Sequence, residues 1–352
     1  MKYSYTQEIE LAETPKITWN KNTEKEVLQY ALGSLLYMPA TNVKIVDDIL
    51  NKRFSYLKSF VLCLEDSIAD SMVEKAEKCV GEILQKLSQA IESKILSIDE
   101  LPLIFIRVRN IGQMTKIYNM YSEYLDVITG FIWPKFEKNN AKQYVEEFEQ
   151  LLNKVKFKLY GMPILESKGI MYKQNRIENL EEIRRVLEPV YDNIIGIRVG
   201  GADLCNIFGL RRDVEYNIWN VNVVADCFAD IINEFSRDYI VSGAVWEYFE
   251  DSNSDKWIAG LKKEQKLDMM NGFIGKDAIH PSQLRIIQEN LIVSYENYID
   301  ALKILNMDHN TGVEKGYGKA KMNEVKTHSN WARKIISLAN IYGVKKEENR
   351  DE

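Results

Sequence analysis

The chain has 352 residues, 45% hydrophobic and 28% charged, with a formal net charge of −6. This balance suits a globular protein with a large core, and it disfavours a general nucleic-acid or anionic-membrane surface. The four cysteines, Cys63, Cys79, Cys205 and Cys227, form no C-x-x-C pair and read as reduced, partly buried thiols, not as a disulfide frame or a zinc site.

In chain order, the N-terminal stretch "MKYSYTQEIELAETPK" lacks an apolar leader, and no apolar run reaches 18 residues, so the expected location is cytoplasmic. Eight short apolar runs follow: 34–40, 59–66, 103–109, 127–135, 159–167, 194–204, 239–245 and 272–276. Stretches of helical period lie between and after them, at 71–91, 141–155, 177–187, 221–235 and 281–301. Near-continuous apolar strands alternating with helices predict a parallel sheet covered on its outer face. Eight such units predict a (β/α)8 TIM barrel over residues 1–294. An open doubly wound sheet is the second choice, but it usually displays a Gly-rich first turn, and neither G-x-G-x-x-G nor a P-loop is present. Residues 295–352 read as a small C-terminal helical appendage, with the polar loop "MDHNTGVEKGYGKAKMNEVKTH" leading into "NWARKIISLANIYGV".

In a barrel of this kind the active site is built where the strands end. Here those ends carry Glu65 with Asp66, Arg107, Lys135, Glu166 and Asp203. In "FVLCLEDSIAD" an apolar strand runs directly into Glu65-Asp66, although Asp66 or Asp70 is also suited to capping the next helix. Glu166 ("LESKG") and Asp203 ("GADL") suit an oxygen-only octahedral site for Mg2+, with a turn or a helix cap as the plain alternative for each. Arg107 lies inside an apolar strand and must meet a carboxylate, either a side chain such as Glu65 or Glu166 or a substrate. Lys135 after Pro134 pairs with the acids or serves as a Schiff-base lysine. His280 reads as structural, satisfied by a backbone carbonyl. "GGAD" is too short for a phosphate loop, and no nucleophile elbow is present.

The pieces "SLLYMPA", "LCLEDS", "IRVRN", "WPK", "ILESKGI", "VGGADL" and "GFIGKDAIHPSQ", in this order, resemble the citrate lyase β-subunit and malyl-CoA lyase group of the HpcH/HpaI aldolase superfamily. "VSGAVWEYF" is similar to a divergent branch of C–C bond lyases associated with tellurite-resistance-type stress gene clusters. The resemblance implies Mg2+, or Mn2+ in its place, on Glu166 and Asp203. It implies catalytic roles for Arg107, Glu65 and Asp66, and substrate contacts from Arg107, Lys135, Gly201 and Ala202. The implied reaction makes or breaks a C–C bond beside a carbonyl of a small keto acid or hydroxy acid, with an acyl-CoA thioester as the usual second partner. Three departures bear on CoA: Gly33 precedes Ser34 where arginine is usual, Cys63 stands in an otherwise Asp-Leu-Glu-Asp string, and Arg109 replaces an asparagine. Lys321-Met322-Asn323-Glu324 resembles a lid motif whose acid acts in a neighbouring subunit's site. That implies a catalytic Glu324, hinge freedom at Gly316 and Gly318, and a homo-oligomer, trimer or hexamer. The competing function is a catalytically silent barrel, a scaffold or metabolite-binding protein in a stress system; retention of Glu166, Asp203 and Arg107 together speaks against it.

Overall fold

The computed structural model describes residues 1–5, 9–250, 255–307, 312–318 and 321–347. The chain forms two compact units, one of residues 20–287 and one combining 1–19 with 288–352. The sequence reading divides the chain instead at 294/295 and leaves the first residues with the barrel.

The larger unit is built on eight parallel strands: β1 (Ser34–Pro39), β2 (Ser59–Cys63), β3 (Leu103–Arg107), β4 (Gly130–Trp133), β5 (Tyr160–Leu165), β6 (Ile197–Val199), β7 (Val241–Ser242) and β8 (Lys276–Ala278). They lie in the order β7-β6-β5-β4-β3-β2-β1-β8. The sheet closes where the Gly243 N–H donates to the Gly275 carbonyl at 3.1 Å and the Asp277 N–H donates to the Gly243 carbonyl at 3.3 Å. The expected TIM barrel is therefore present. Every residue of β2, β3, β4 and β5 is buried, because one face meets helices and the other fills the barrel. Alternation sorts the two faces: Leu36, Met38, Phe60, Leu62, Ile104 and Ile106 join the core beneath the helices. Their neighbours Tyr37, Val61, Cys63, Phe105 and Arg107 are left to the barrel interior.

Helix α1 (Val73–Glu92) shows why the outer layer forms: Ala76, Val80, Ile83, Leu84 and Leu87 recur at helical spacing and are buried. Burying each of the larger side chains contributes roughly 1.5–3 kcal/mol. The stretches predicted at 141–155, 177–187 and 221–235 appear as α2 (Lys138–Leu152), α3 (Arg176–Leu187) and α4 (Asn222–Phe235).

Two expectations about elements are corrected. The run 272–276 was expected to be the last strand, but β8 begins at Lys276, since the chain first turns through Gly272 and Gly275, both at positive φ. The predicted helix 281–301 is two helices, Pro281–Glu289 and Tyr295–Asn306. Between them the Val293 N–H donates to the Gly343 carbonyl at 3.1 Å, and the Ser294 side chain accepts from the Asn297 N–H at 3.4 Å to start the second helix.

In the smaller unit, Tyr295–Asn306 packs on a long helix, Val325–Tyr342. Leu11–Glu13 pairs antiparallel with Val344–Lys345, and Tyr3 and Tyr342 lie with ring centroids 4.5 Å apart, which ties the first residues to the last. The polar loop contains a hairpin, Val313–Lys315 against Met322–Glu324. Buried Asp300 braces it, accepting from the Tyr317 N–H at 2.6 Å and the Asn323 amide at 3.0 Å. Parts of the expected lid loop, 308–311 and 319–320, lie outside the described residues.

Candidate active site

Each barrel strand ends in a loop at the same rim, so charged residues far apart in sequence meet there. Arg107, the last residue of β3, is buried, and its Nη2 donates to Asp66 Oδ2 at 3.0 Å and Glu166 Oε1 at 3.1 Å and lies 2.9 Å from Glu65 Oε2 as an ion pair. The side-chain partners foreseen for it are thus both present, with Asp66 in addition. Burial opposes the guanidinium charge, but Glu166 and Glu65 outweigh it and hold the group more firmly charged than an ordinary arginine. Its Nε is buried without a hydrogen-bond partner.

Lys135 follows β4 in a left-handed conformation, φ 48°. Its N–H donates to Glu166 Oε1 at 2.9 Å, and its carbonyl accepts from the Asn140 amide at 2.8 Å. Those bonds hold a backbone shape that costs a non-glycine residue energy. Its ammonium donates to Glu65 Oε1 at 2.5 Å and Asp66 Oδ1 at 3.2 Å. Partial burial lowers the Lys135 pKa, yet the two acids more than compensate and raise it. A lysine held so firmly as ammonium is a poor Schiff-base nucleophile, and the ion-pair reading of Lys135 prevails.

Neither Asp66 nor Asp70 caps the helix that follows β2: Ala69 precedes the short turn Asp70–Met72, and Met72 precedes α1. Glu65-Asp66 instead sits in a loop clamped by Arg109. The Arg109 Nε donates to the Leu64 carbonyl at 3.1 Å, its Nη2 to the carbonyls of Glu65 (3.2 Å) and Ile68, and its Nη1 to Asp70 at 2.8 Å. Asp66 is partly buried, which disfavours its charge, but hydrogen bonding with Glu65 and the charges of Arg107 and Lys135 hold it down at about 2. Glu65 is pushed the other way, by burial and by Asp66.

Glu166 follows β5 and Asp203 follows β6. Asp203 is not a helix cap, since Gly200 holds that place and Asp203 is the third residue of a short helix, Gly201–Asn206. Glu166 lies so close to Gly200 that a Cβ there would sit 2.3 Å from Glu166 Oε2, so glycine is required for the approach. Glu166 is buried, and burial pushes its carboxyl up to about 7, with Asp203 adding to the rise against the pull of Arg107. Asp203 is raised as well, first by burial and then by Asp66. The two acids crowd each other without full compensation from the cations present.

This rim opens on a cavity of about 330 Å³ lined by Asp66, Arg107, Glu166, Gly201, Ala202 and Asp203 among others. Glu65 and Lys135, ion-paired with each other, are not among its lining residues. Cys63, read from the sequence as a reduced, partly buried thiol, is free and buried and also lines the cavity, with Arg107 Nη1 at 4.0 Å from its sulfur. Glu324 belongs to the smaller unit, at the start of Val325–Tyr342, where its N–H donates to His328 Nδ1 at 3.1 Å. His280 finds a hydroxyl instead of the expected carbonyl: its Nδ1 lies 2.8 Å from Ser282 Oγ, and its ring stacks on Phe249 at 4.8 Å.

Sequence reading missed a second polar layer, because its members sit inside strands or helices and break the apolar rule. Buried Arg198 (β6) donates to Asp277 Oδ1 (β8) at 2.7 Å and to Ser242 Oγ (β7) at 3.0 Å, and Asp277 and Tyr37 (β1) also line the cavity. Beside it, fully buried Lys276 lies 2.8 Å from Glu264 and 2.7 Å from Asp268. Charged residues at strand positions 198, 276 and 277 were the available signal, since such residues are buried only when paired.

Over residues 26–344 the sequence matches the C–C bond lyases of the TIM-barrel fold. The chain belongs to that family. It is thus a C–C bond lyase. No curated protein sequence matches it. In fold, this lyase is similar to CitE of Mycobacterium tuberculosis, solved with magnesium, acetoacetate and coenzyme A. The TM-score is 0.58 at 17% identity, covering 88% of this chain and 99% of that one. It is also similar to RipC from Yersinia pestis, with a TM-score of 0.50 at 17% identity, covering 74% of this chain and 95% of the other. Among the described residues no helix is long and apolar enough to cross a membrane.

Proposed function

We propose that this lyase makes or breaks a C–C bond beside the carbonyl of a small keto acid or hydroxy acid, with Mg2+ held by Glu166 and Asp203. The observation that carries the reading is the crowding of these two carboxylates at the cavity wall, each raised in pKa and short of positive charge. Among the described residues no three His, Cys, Asp or Glu side chains cluster as a metal site, so two carboxylates would leave the remaining positions to water and substrate oxygens. That open, oxygen-only donor set fits Mg2+, which keeps several waters, and Mn2+ is the alternative occupant. Bound there, the cation would polarise a carbonyl oxygen as a Lewis acid.

The chain's own residues do the rest. Arg107 orients the substrate carboxylate through the guanidinium edge that its acidic partners leave open. Glu65 and Lys135 fix Asp66 at the cavity edge, where its carboxylate remains ionised. Gly201 and Ala202 let the substrate approach the backbone beside Asp203. Glu324 would supply the acid or base from a partner chain in a homo-oligomer. The magnesium, acetoacetate and coenzyme A bound by CitE support the metal and keto-acid parts of this reading. The CoA part is weaker here, since Gly33 stands where an arginine is usual.

Calorimetric titration of Mg2+ and then of oxaloacetate, pyruvate or acetoacetate tests the proposal. Wild type should bind at least one of these acids only with Mg2+ present, and Glu166→Ala and Asp203→Ala should each abolish Mg2+ binding while keeping the fold. Wild-type Mg2+ affinity in either variant contradicts the ligand assignment. If no keto acid binds, the silent-scaffold alternative takes its place.

A further inference from the structure

Tyr37 is not part of any role assigned so far. It lies on β1 between Leu36 and Met38, which face the core beneath the helices, so its ring points into the barrel and lines the cavity. Its hydroxyl is shut off from solvent with the Arg198 guanidinium against it, yet its own proton meets no acceptor among the described residues. Leaving a buried hydroxyl unpaired is costly, so such a group in a native cavity calls for a partner. A second orphan lines the same cavity: Arg107 Nε, also buried and unpaired. Charged groups surround the Tyr37 hydroxyl, with Asp277 and Glu166 of one sign and Arg198 and Arg107 of the other. Burial, with Asp277 next, pushes its pKa far above that of an ordinary phenol, so it stays a protonated donor at any working pH.

The nearby acids serve other donors, and neither accepts from Tyr37. Asp277 Oδ1 is held by Arg198, and Glu166 Oε1 by Arg107 and the Lys135 N–H. Two unpaired donors on β1 and β3, opening on one cavity, define a place for an oxygen atom that arrives with a ligand.

We infer that Tyr37 is a substrate-contacting residue, its hydroxyl and Arg107 Nε together donating to one oxygen of a small oxo- or hydroxycarboxylate bound in the cavity. The inference rests on the proposed keto-acid reading and adds to it a residue that selects for an oxygen at this depth. The hydroxyl donates and the substrate oxygen accepts, with no proton transferred.

Tyr37→Phe removes the oxygen atom alone, and its test has three readouts: Mg2+ affinity, keto-acid affinity in saturating Mg2+, and melting temperature without ligand. The probes are Mg2+ alone, then pyruvate and oxaloacetate. Mg2+ affinity should match wild type, because Tyr37 is no ligand of it. Keto-acid affinity should fall by roughly ten- to a hundredfold, the usual effect of losing a hydrogen bond to a charged acceptor. The ligand-free melting temperature should stay close to that of wild type, since Arg198 keeps its bonds to Asp277 and Ser242. Wild-type keto-acid affinity in Tyr37→Phe overturns the inference while leaving the proposed function standing. A variant that loses its fold marks the hydroxyl as structural and overturns it too. If wild type itself binds no keto acid, the functional reading fails first and this inference falls with it.

Discussion

At the scale of single residues, the site is a balance of charge. Arg107 serves three carboxylates with one nitrogen, and a lysine there would keep the charge but lose the planar fork. Arg107→Lys is therefore expected to weaken keto-acid binding by roughly tenfold or more even at saturating Mg2+. Wild-type binding and turnover in that variant would make the arginine purely structural. Glu166 supplies a pH dependence whose sign can be worked out. Its folded-state pKa, about 7, lies above its ordinary 4.5. Its contribution to stability is thus fully present below the lower value and is lost as pH rises through the upper one. Mg2+ binds the ionised form and relieves that loss, so the Mg2+-induced rise in melting temperature should grow from pH 5 toward about pH 7.5. A Mg2+ effect that shrinks over this window would count against Glu166 as a ligand. These ring residues were legible in the sequence because each ends an apolar run. Tyr37 was not, since a tyrosine within a strand looks like any core aromatic.

At the scale of elements, the strand ends set where charge appears, and the loops set how firmly it is held. Gly200 links β6 to the helix bearing Asp203 and leaves room for Glu166. Gly200→Ala should push the Glu166 carboxylate aside and weaken Mg2+ binding by roughly an order of magnitude, the scale of a lost charged interaction, with circular dichroism unchanged. Unaltered Mg2+ affinity would show that the close contact is incidental. β8 offers a different test, of stability. Lys276 pairs with Glu264 and Asp268 in a fully buried setting, with Arg212 as a second cation on Glu264, and removing one partner of such a network costs about 3–5 kcal/mol. Urea unfolding of Lys276→Met should show a loss of that size, and a neutral result would mean the acids take up protons at little cost. β8 is also where sequence reading was displaced. An apolar-run criterion stops at Lys276, whereas the strand starts there, because pairing lets charge occupy a strand interior. The same criterion ran straight through the break at residues 290–294, since helical period cannot register a backbone hydrogen bond to Gly343.

At the scale of the whole molecule, eight alternating units made the barrel legible, for burial of both strand faces leaves an unmistakable apolar pattern. The ties of the first nineteen residues to the far end of the chain were not legible in pattern alone, because they run through Tyr3, Tyr342 and the pairing of Leu11–Glu13 with Val344–Lys345. The proposed role of Glu324 belongs to this scale, since it requires a neighbouring chain. Mixing inactive Asp203→Ala with inactive Glu324→Gln under subunit exchange should restore activity to about a quarter of wild type in a statistically mixed pair site. A fully active Glu324→Gln enzyme removes the residue from the chemistry. A divalent cation between Glu166 and Asp203 that receives a keto acid would be located by anomalous diffraction from crystals grown with Mn2+ and pyruvate. One strong anomalous peak is expected within bonding distance of both carboxylates, with pyruvate oxygens completing its shell beside Arg107. A cation bound elsewhere, or pyruvate seated away from Arg107, would contradict it.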